Sequence, residues 1–144
     1  MGREQLVGTW KMISDERHTE GEEVFYPFGQ DVVGQLMYDD KGFMSVNVTR
    51  RDRSKFASKD RGDYTPDEAK AAFESYLAYF GTYSFDEARG AVIHHVVSST
   101  FPQMIGANNV RFFRFSGKRL ILSPPPMTVD GKQVTGYITW ERAE

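Results

Sequence analysis

The sequence predicts an all-β protein: an antiparallel up-and-down β-barrel of about 8–10 strands, with one inserted α-helix near residues 66–77. Short runs of apolar and aromatic residues recur along the chain, and turn-forming residues separate them. Most consecutive runs are linked by short turns, which makes a meander, and closing a meander into a barrel removes its exposed edges. Only one segment has the apolar spacing of a helix.

Nine segments are strand candidates, and the sequence between several of them favours tight turns. The candidates are residues 6–14, 23–26, 34–38, 43–50, 79–85, 91–98, 110–115, 119–122 and 133–141. Glycine beside a polar residue punctuates the chain at 39–42, 116–118 and 130–131, as tight turns require. Residues 15–22 are expected to form a turn. The three prolines at 124–126 predict a connection or a sheet edge, because proline cannot donate to a ladder.

The helix has a clear start. Thr65 is a good N-cap, Pro66 suits the first helical position, and Glu68 completes a capping box. Apolar side chains then follow with helical spacing at Ala69, Ala72, Phe73, Tyr76 and Leu77. We therefore expect this face to lie against the rest of the domain. The polar segment 51–64 and the helix together form a candidate lid, since long loops in compact domains are often functional.

Composition excludes several classes of protein. Aromatic residues make up 14% of the 144 residues and the formal net charge is −2, which argues against disorder and against general nucleic-acid binding. The chain has no cysteine, so disulfides, thiolate zinc sites and thiol nucleophiles are excluded. No segment has the pattern of a secretory signal or the length of a membrane span. We expect a single domain over residues 1–144 with a cytoplasmic location.

Several motifs bring a known family to mind. Gly8-Thr9-Trp10 resembles the motif that opens lipocalin barrels, and Trp140 and Arg142 stand at the far end of the chain. Longer segments resemble the small single-domain lipocalin-like proteins of bacteria and fungi: residues 26–29, 34–38, 44–46, 78–83, 94–96, 101–102, 111–113 and 140–143. The resemblance implies a closed or nearly closed barrel with an internal cavity. It also implies that Arg142 packs against Trp10.

Alternation along each strand predicts which side chains face the interior. The interior set comprises Trp10, Leu36, Tyr38, Tyr79, Tyr83, Ile138 and Trp140. Two strands are ambiguous, because either phase turns one histidine and one arginine inward. We assign His94 and Arg111 to the interior, and His95 and Arg114 remain the alternative.

These assignments define a predicted site. His94 and Tyr83 are the candidate catalytic pair, because a histidine near neutrality can move a proton. The candidate ligand-binding residues are Arg111, Tyr38, Trp10, Phe113 and Trp140. Each has a structural alternative: the aromatic rings pack a core, and Arg111 pairs with a carboxylate. Neither a metal site nor a cofactor is predicted, since His94 and His95 point to opposite faces.

The leading functional hypothesis is binding of a small, largely apolar or aromatic molecule with a polar or anionic end, in a hydrophobic cavity. The main alternative is a cofactor-independent cyclase, isomerase or dehydratase acting on a natural-product intermediate of polyketide type. A haem-binding barrel with a histidine ligand and a purely structural barrel are further alternatives. The sequence leaves open whether the protein is an enzyme and whether it forms a homodimer.

Overall fold

Short apolar runs become strands along most of the chain in the computed structural model, which describes residues 2–143. The strands are β1 (Gly8–Thr19), β2 (Val32–Tyr38), β3 (Phe43–Arg50), β4 (Tyr76–Asp86), β5 (Ala91–Ser99), β6 (Asn108–Ser116), β7 (Arg119–Ser123), β8 (Met127–Val129) and β9 (Lys132–Arg142). One α-helix, α1 (Pro66–Glu74), stands between β3 and β4. No helix among the described residues is long and apolar enough to cross a membrane.

The strands form a closed antiparallel ring. Each of β1 to β6 pairs with the next strand in the chain, β7 pairs with β9, and β9 pairs with β1. The closing ladder runs from Trp10 opposite Arg142 to Thr19 opposite Val134. The short β8 continues beyond β7 along the same strand, β9, and lies outside the ring of eight. The predicted up-and-down barrel with one helix is therefore confirmed.

Two local predictions are wrong, and strand pairing explains both. Residues 15–22 do not form a turn throughout, because β1 continues to Thr19 to complete its ladder with β9. Residues 23–26 are not a strand, and only Phe25 makes an isolated bridge, to Arg17. The ninth strand is instead β8, which follows the three prolines at 124–126. As expected, these prolines form a connection.

The helix starts as predicted and ends earlier. Thr65 and Glu68 form the capping box, with Pro66 at the first position. The helix ends at Glu74, because Tyr76 already pairs with Thr49 in the ladder between β3 and β4. None of the helical residues is buried, and Phe73 is 49% exposed. The apolar face therefore lies on the domain without being buried in its core: Ala69 and Ala72 are half-buried, and Phe73 is exposed.

The interior of the barrel is the hydrophobic core, and the predicted strand phases describe it well. Trp10, Leu36, Tyr38, Tyr79, Tyr83 and Trp140 are buried. On the two ambiguous strands, His94 is buried at 2% exposure whereas His95 lies on the outside, and Arg111 is partly buried whereas Arg114 is exposed. Apart from aromatic residues with a polar atom, His94 is the buried polar side chain in the described part of the chain.

One end of the barrel is closed by contacts between the two ends of the chain. The Arg142 guanidinium lies 4.2 Å from the centroid of the Trp10 ring. It also donates hydrogen bonds to the carbonyl oxygens of Gln5 and Val7, at 2.6 and 2.9 Å. The Trp10 indole N–H donates to the Leu6 carbonyl at 2.9 Å. The expected packing of Arg142 on Trp10 is confirmed, and it ties the first strand to the last.

Two β-bulges interrupt the ladders. In β1 the extra residue is Ile13, between the pairings of Met12 and Ser14 with β9. In β5 the extra residue is Val97, opposite the Phe80 to Gly81 step of β4. A Cβ at Gly81 would overlap the carbonyl oxygen of His95, so only glycine allows this approach of the two backbones.

Replacing Gly81 with alanine should therefore destabilise the barrel. We expect Gly81→Ala to lower the free energy of unfolding by about 3 kcal/mol, because backbone atoms must move apart. This value is at the upper end of the usual cost of an overpacked substitution. Urea denaturation monitored by tryptophan fluorescence measures this change. The matched control is Gly62→Ala in an exposed loop, where a Cβ meets only a side-chain oxygen at 3.7 Å and the cost should stay within about 0.5 kcal/mol. Equal effects of the two substitutions would contradict the proposed steric cause.

Candidate functional site

A small cavity lies inside the barrel, away from the end that Trp10 and Arg142 close. Its volume is about 70 Å³, room for about two water molecules. Its walls are mostly apolar, and they include Met12, Phe28, Leu36, Val46, Val48, Leu77, Tyr79, Met104, Leu122, Ile138 and Trp140. The side chains of Asp15, His94 and Arg111 also line it. Polar groups converging in an apolar cavity are typical of small-molecule sites.

His94 is held from both sides by tyrosine hydroxyl groups. The Tyr38 hydroxyl lies 2.6 Å from Nε2 and the Tyr79 hydroxyl lies 2.7 Å from Nδ1. A neutral imidazole has one donor and one acceptor nitrogen, so one tyrosine donates to the ring and the other accepts from it. These bonds satisfy both ring nitrogens and connect β2, β4 and β5.

Burial keeps this hydrogen-bonded group uncharged. Loss of hydration lowers the pKa of His94 to about 3, and the positive charge of Arg111 acts in the same direction. Burial also raises the pKa values of Tyr38 and Tyr79, so both hydroxyl groups keep their protons. An imidazole with so low a pKa is a weak general base near neutrality. The geometry is therefore that of a structural polar group in the core.

Asp15 and Arg111 bring opposite charges to the cavity from different strands. The Ile13 bulge shifts the alternation of β1, so Asp15 lines the cavity together with Met12. Burial raises the pKa of Asp15, and the nearby charges of Arg17 and Arg111 oppose this rise. Arg111 donates from Nη1 to the Val110 carbonyl at 2.9 Å, and it makes no direct ion pair with Asp15 within the described residues.

Two shielded hydrogen-bond donors have no partner in the part of the chain that the structure describes. They are the indole N–H of Trp140 and the side-chain amide nitrogen of Asn109. Trp140 lines the cavity directly, and Asn109 influences the pKa of the Tyr79 hydroxyl. A buried donor without an acceptor costs free energy, so the Trp140 N–H in the cavity wall favours a ligand or water that accepts from it.

The structure gathers only part of the predicted site. His94, Arg111 and Trp140 line the cavity. Tyr38 is not part of the lining, but its hydroxyl is hydrogen-bonded to Nε2 of His94. Three other predicted residues lie outside the lining. Tyr83 donates to the Asp39 carbonyl at 2.6 Å, Trp10 packs under Arg142, and Phe113 stacks on Phe85 at 5.2 Å. Their catalytic and binding roles stay predictions.

Sequence reasoning missed two residues of the site. Tyr79 takes the place that the prediction gave to Tyr83 as the partner of His94. Asp15 was placed in a turn, and its inward position depends on the Ile13 bulge. Alternation along the strand predicted that Tyr79 faces the interior, but it did not predict the contact with His94. No sequence signal pointed to the bulge.

The donor groups give little support for a bound metal or haem. No three His, Asp or Glu side chains within residues 2–143 are grouped closely enough to hold a metal ion. Both nitrogens of His94 are already engaged by Tyr38 and Tyr79. A haem iron would therefore have to displace one of these short hydrogen bonds.

Comparisons with known proteins agree with this architecture. Residues 7–143 match the family described as the lipocalin-like domain. A protein of Aspergillus oryzae described as a 4'-hydroxy-3'-methoxypropiophenone carrier protein is 28% identical over 106 residues, which is 69% of this chain and 96% of that protein. No solved structure matches the chain significantly.

The buried state of His94 predicts a loss of stability in mild acid. Unfolded histidine binds a proton below about pH 6.5, whereas folded His94 does so only near pH 3. Between these values the unfolded state binds more protons. The free energy of unfolding should therefore decrease as the pH is lowered through this range. His94 contributes up to about 1.4 kcal/mol of this decrease per pH unit.

Urea denaturation between about pH 7 and pH 5 measures this slope. Glutamine does not titrate, so His94→Gln should remove the contribution of His94 to this slope. The comparison uses the slope, so it holds whatever the stability of the variant at neutral pH. Gln35→Ala, at an exposed position of β2, serves as the control and should keep the wild-type slope. Parallel pH profiles for wild type and His94→Gln would contradict the prediction.

Proposed function

The chain belongs to the family of lipocalin-like domains, and from this premise we propose that its barrel binds a small aromatic molecule with polar oxygen groups and carries it. The observation that supports this most is the cavity, where apolar walls surround unpartnered polar groups. The Trp140 indole N–H lacks an acceptor, and most Arg111 donors have no bond within the described residues. A ligand oxygen in the cavity would satisfy these donors.

The similar protein of Aspergillus oryzae supports the ligand class. Its description names a propiophenone, which is an aromatic ring with a ketone, a hydroxyl and a methoxy group. A molecule of this kind has an apolar body for the barrel walls and several oxygen atoms for the donors. We extend the class, rather than the individual compound, to this chain.

The size of the cavity requires that the interior opens when a ligand enters. The volume of about 70 Å³ is well below the roughly 300–1,000 Å³ of ligand pockets. Met12 and Met104 line the cavity, and methionine side chains adapt to new shapes more readily than branched ones. Phe28 and Leu77 are half-buried beside them. We propose that these side chains move apart around the ligand.

Carriage fits the site better than acid–base chemistry on a polyketide-like intermediate. His94 has both nitrogens engaged and a pKa near 3, and the Tyr83 hydroxyl donates to the Asp39 carbonyl rather than to His94. A general base needs a free nitrogen and a pKa near the working pH. A cytoplasmic location and a homodimer remain predictions.

The proposal predicts that filling the cavity weakens binding. Isothermal titration calorimetry with 4'-hydroxy-3'-methoxypropiophenone should show binding to the wild-type protein. Leu77→Trp adds bulk to the cavity wall and should weaken the affinity by about tenfold or more. Phe80→Trp is the matched control, on the outer face of the same strand at 52% original exposure, and should bind as the wild type does.

Binding that is unaffected by Leu77→Trp, or weakened as much by Phe80→Trp, would place the ligand outside the barrel. Absence of any binding by the wild type to this ketone and to simpler aryl ketones would contradict the proposed function itself. Thermal unfolding of both variants, measured alongside, shows whether each is folded.

A further inference from the structure

The cavity contains an acceptor as well as donors, and this has a consequence for the charge of the ligand. The Asp15 carboxylate lines the cavity and accepts no hydrogen bond from any residue in the described range. A partly buried carboxylate with free lone pairs favours a neighbouring hydroxyl or N–H group. The β1 side of the cavity therefore favours a ligand that donates a hydrogen bond to Asp15.

The opposite requirement comes from Arg111 on β6. Its guanidinium has five N–H donors. Within residues 2–143 it makes one hydrogen bond, which Nη1 donates to the Val110 carbonyl. Strands β7 and β9 separate β6 from β1 in the ring. Leu122 and Ile138, from these two strands, line the same cavity and form apolar wall between the two charges.

The two charges balance one another across the cavity. Asp15 carries a negative charge when ionised, Arg111 carries a positive one, and buried His94 is neutral. Arg17 and Glu16, which follow Asp15 in the chain, add one charge of each sign nearby. An anionic ligand would gain from Arg111 but would be repelled by Asp15, and it would also lose its hydration.

We propose that the cavity selects a neutral ligand that both donates and accepts hydrogen bonds, and that Asp15 is the residue that excludes anionic analogues. The ligand hydroxyl donates to Asp15, and the ligand carbonyl accepts from Arg111 or Trp140. This inference rests on the proposed function. It narrows the ligand from the polar or anionic class that the sequence indicated to a neutral hydroxylated aryl ketone.

Two probes that share a ring and a hydroxyl group test the inference. They are 3-hydroxyacetophenone, which is neutral, and 3-hydroxybenzoate, which is an anion at neutral pH. We expect the wild-type protein to bind the ketone at least about tenfold more tightly in calorimetric titrations. In Asp15→Asn the charge of Arg111 is no longer balanced, so the ratio of affinities should move toward the benzoate by about tenfold or more.

A matched control separates position from net charge. Glu16→Gln removes the same charge from the next residue, whose side chain contacts His18 and is absent from the cavity lining. This variant should keep the wild-type ratio. Arg111→Gln gives a second test that does not depend on the folding of Asp15→Asn, because it should reduce benzoate binding further. Combining Asp15→Asn with Arg111→Gln should return the preference toward the neutral ketone.

The outcomes distinguish this inference from the function on which it rests. An unchanged ratio in Asp15→Asn, with both probes still bound, overturns the role of Asp15 and leaves ligand binding intact. A wild-type preference for the benzoate overturns the selection of neutral ligands. Absence of binding by either probe and by the methoxylated propiophenone overturns the proposed function and, with it, this inference.

Discussion

Closure of β1 against β9 is the constraint on which the rest of the structure depends. Because β1 pairs with β2 on one side and β9 on the other, the ring has no free edge there, and its inward side chains are enclosed. Arg142 strengthens this closure by lying over Trp10 and by donating to two carbonyl groups near the N-terminus. Burial in the enclosed interior gives His94 its low pKa, and the Trp140 N–H in the same interior has no partner within the described residues.

The large number of aromatic residues serves several tasks within this enclosure. Phe85, Phe113 and Phe115 pack against one another or against Trp10, and they form core rather than cavity wall. Tyr38 and Tyr79 combine a ring that fills space with a hydroxyl that satisfies His94. The small cavity that remains shows how far side-chain packing fills a barrel of this size.

Alternation was the most informative signal in the sequence, because a closed barrel has one inside and one outside. It identified the buried faces of β2, β4 and β9, and it reduced the uncertainty at His94 and Arg111 to two phases. Alternation does not specify how far a side chain leans along its strand. Tyr83 is the register partner of His94, yet the imidazole bonds to Tyr79, four residues away along β4.

Local propensity was less informative wherever pairing competed with it. Tyr76 and Leu77 have the spacing of a helix but are held by the ladder with β3. Residues 15–19 are polar and resemble a turn, but the closing ladder extends β1 through them. In both places pairing with another strand decides the conformation. The residues of the segment itself do not show which strand it will pair with.

The Ile13 bulge also bears on how the family can diversify. One extra residue in β1 decides whether Asp15, rather than the neighbouring Ser14 or Glu16, belongs to the inner face. An insertion or deletion of one codon in this strand therefore exchanges the whole set of side chains that the last half of β1 presents to the interior. A barrel of this kind can change the chemistry of its lining in one genetic step, without replacing any amino acid that it already has.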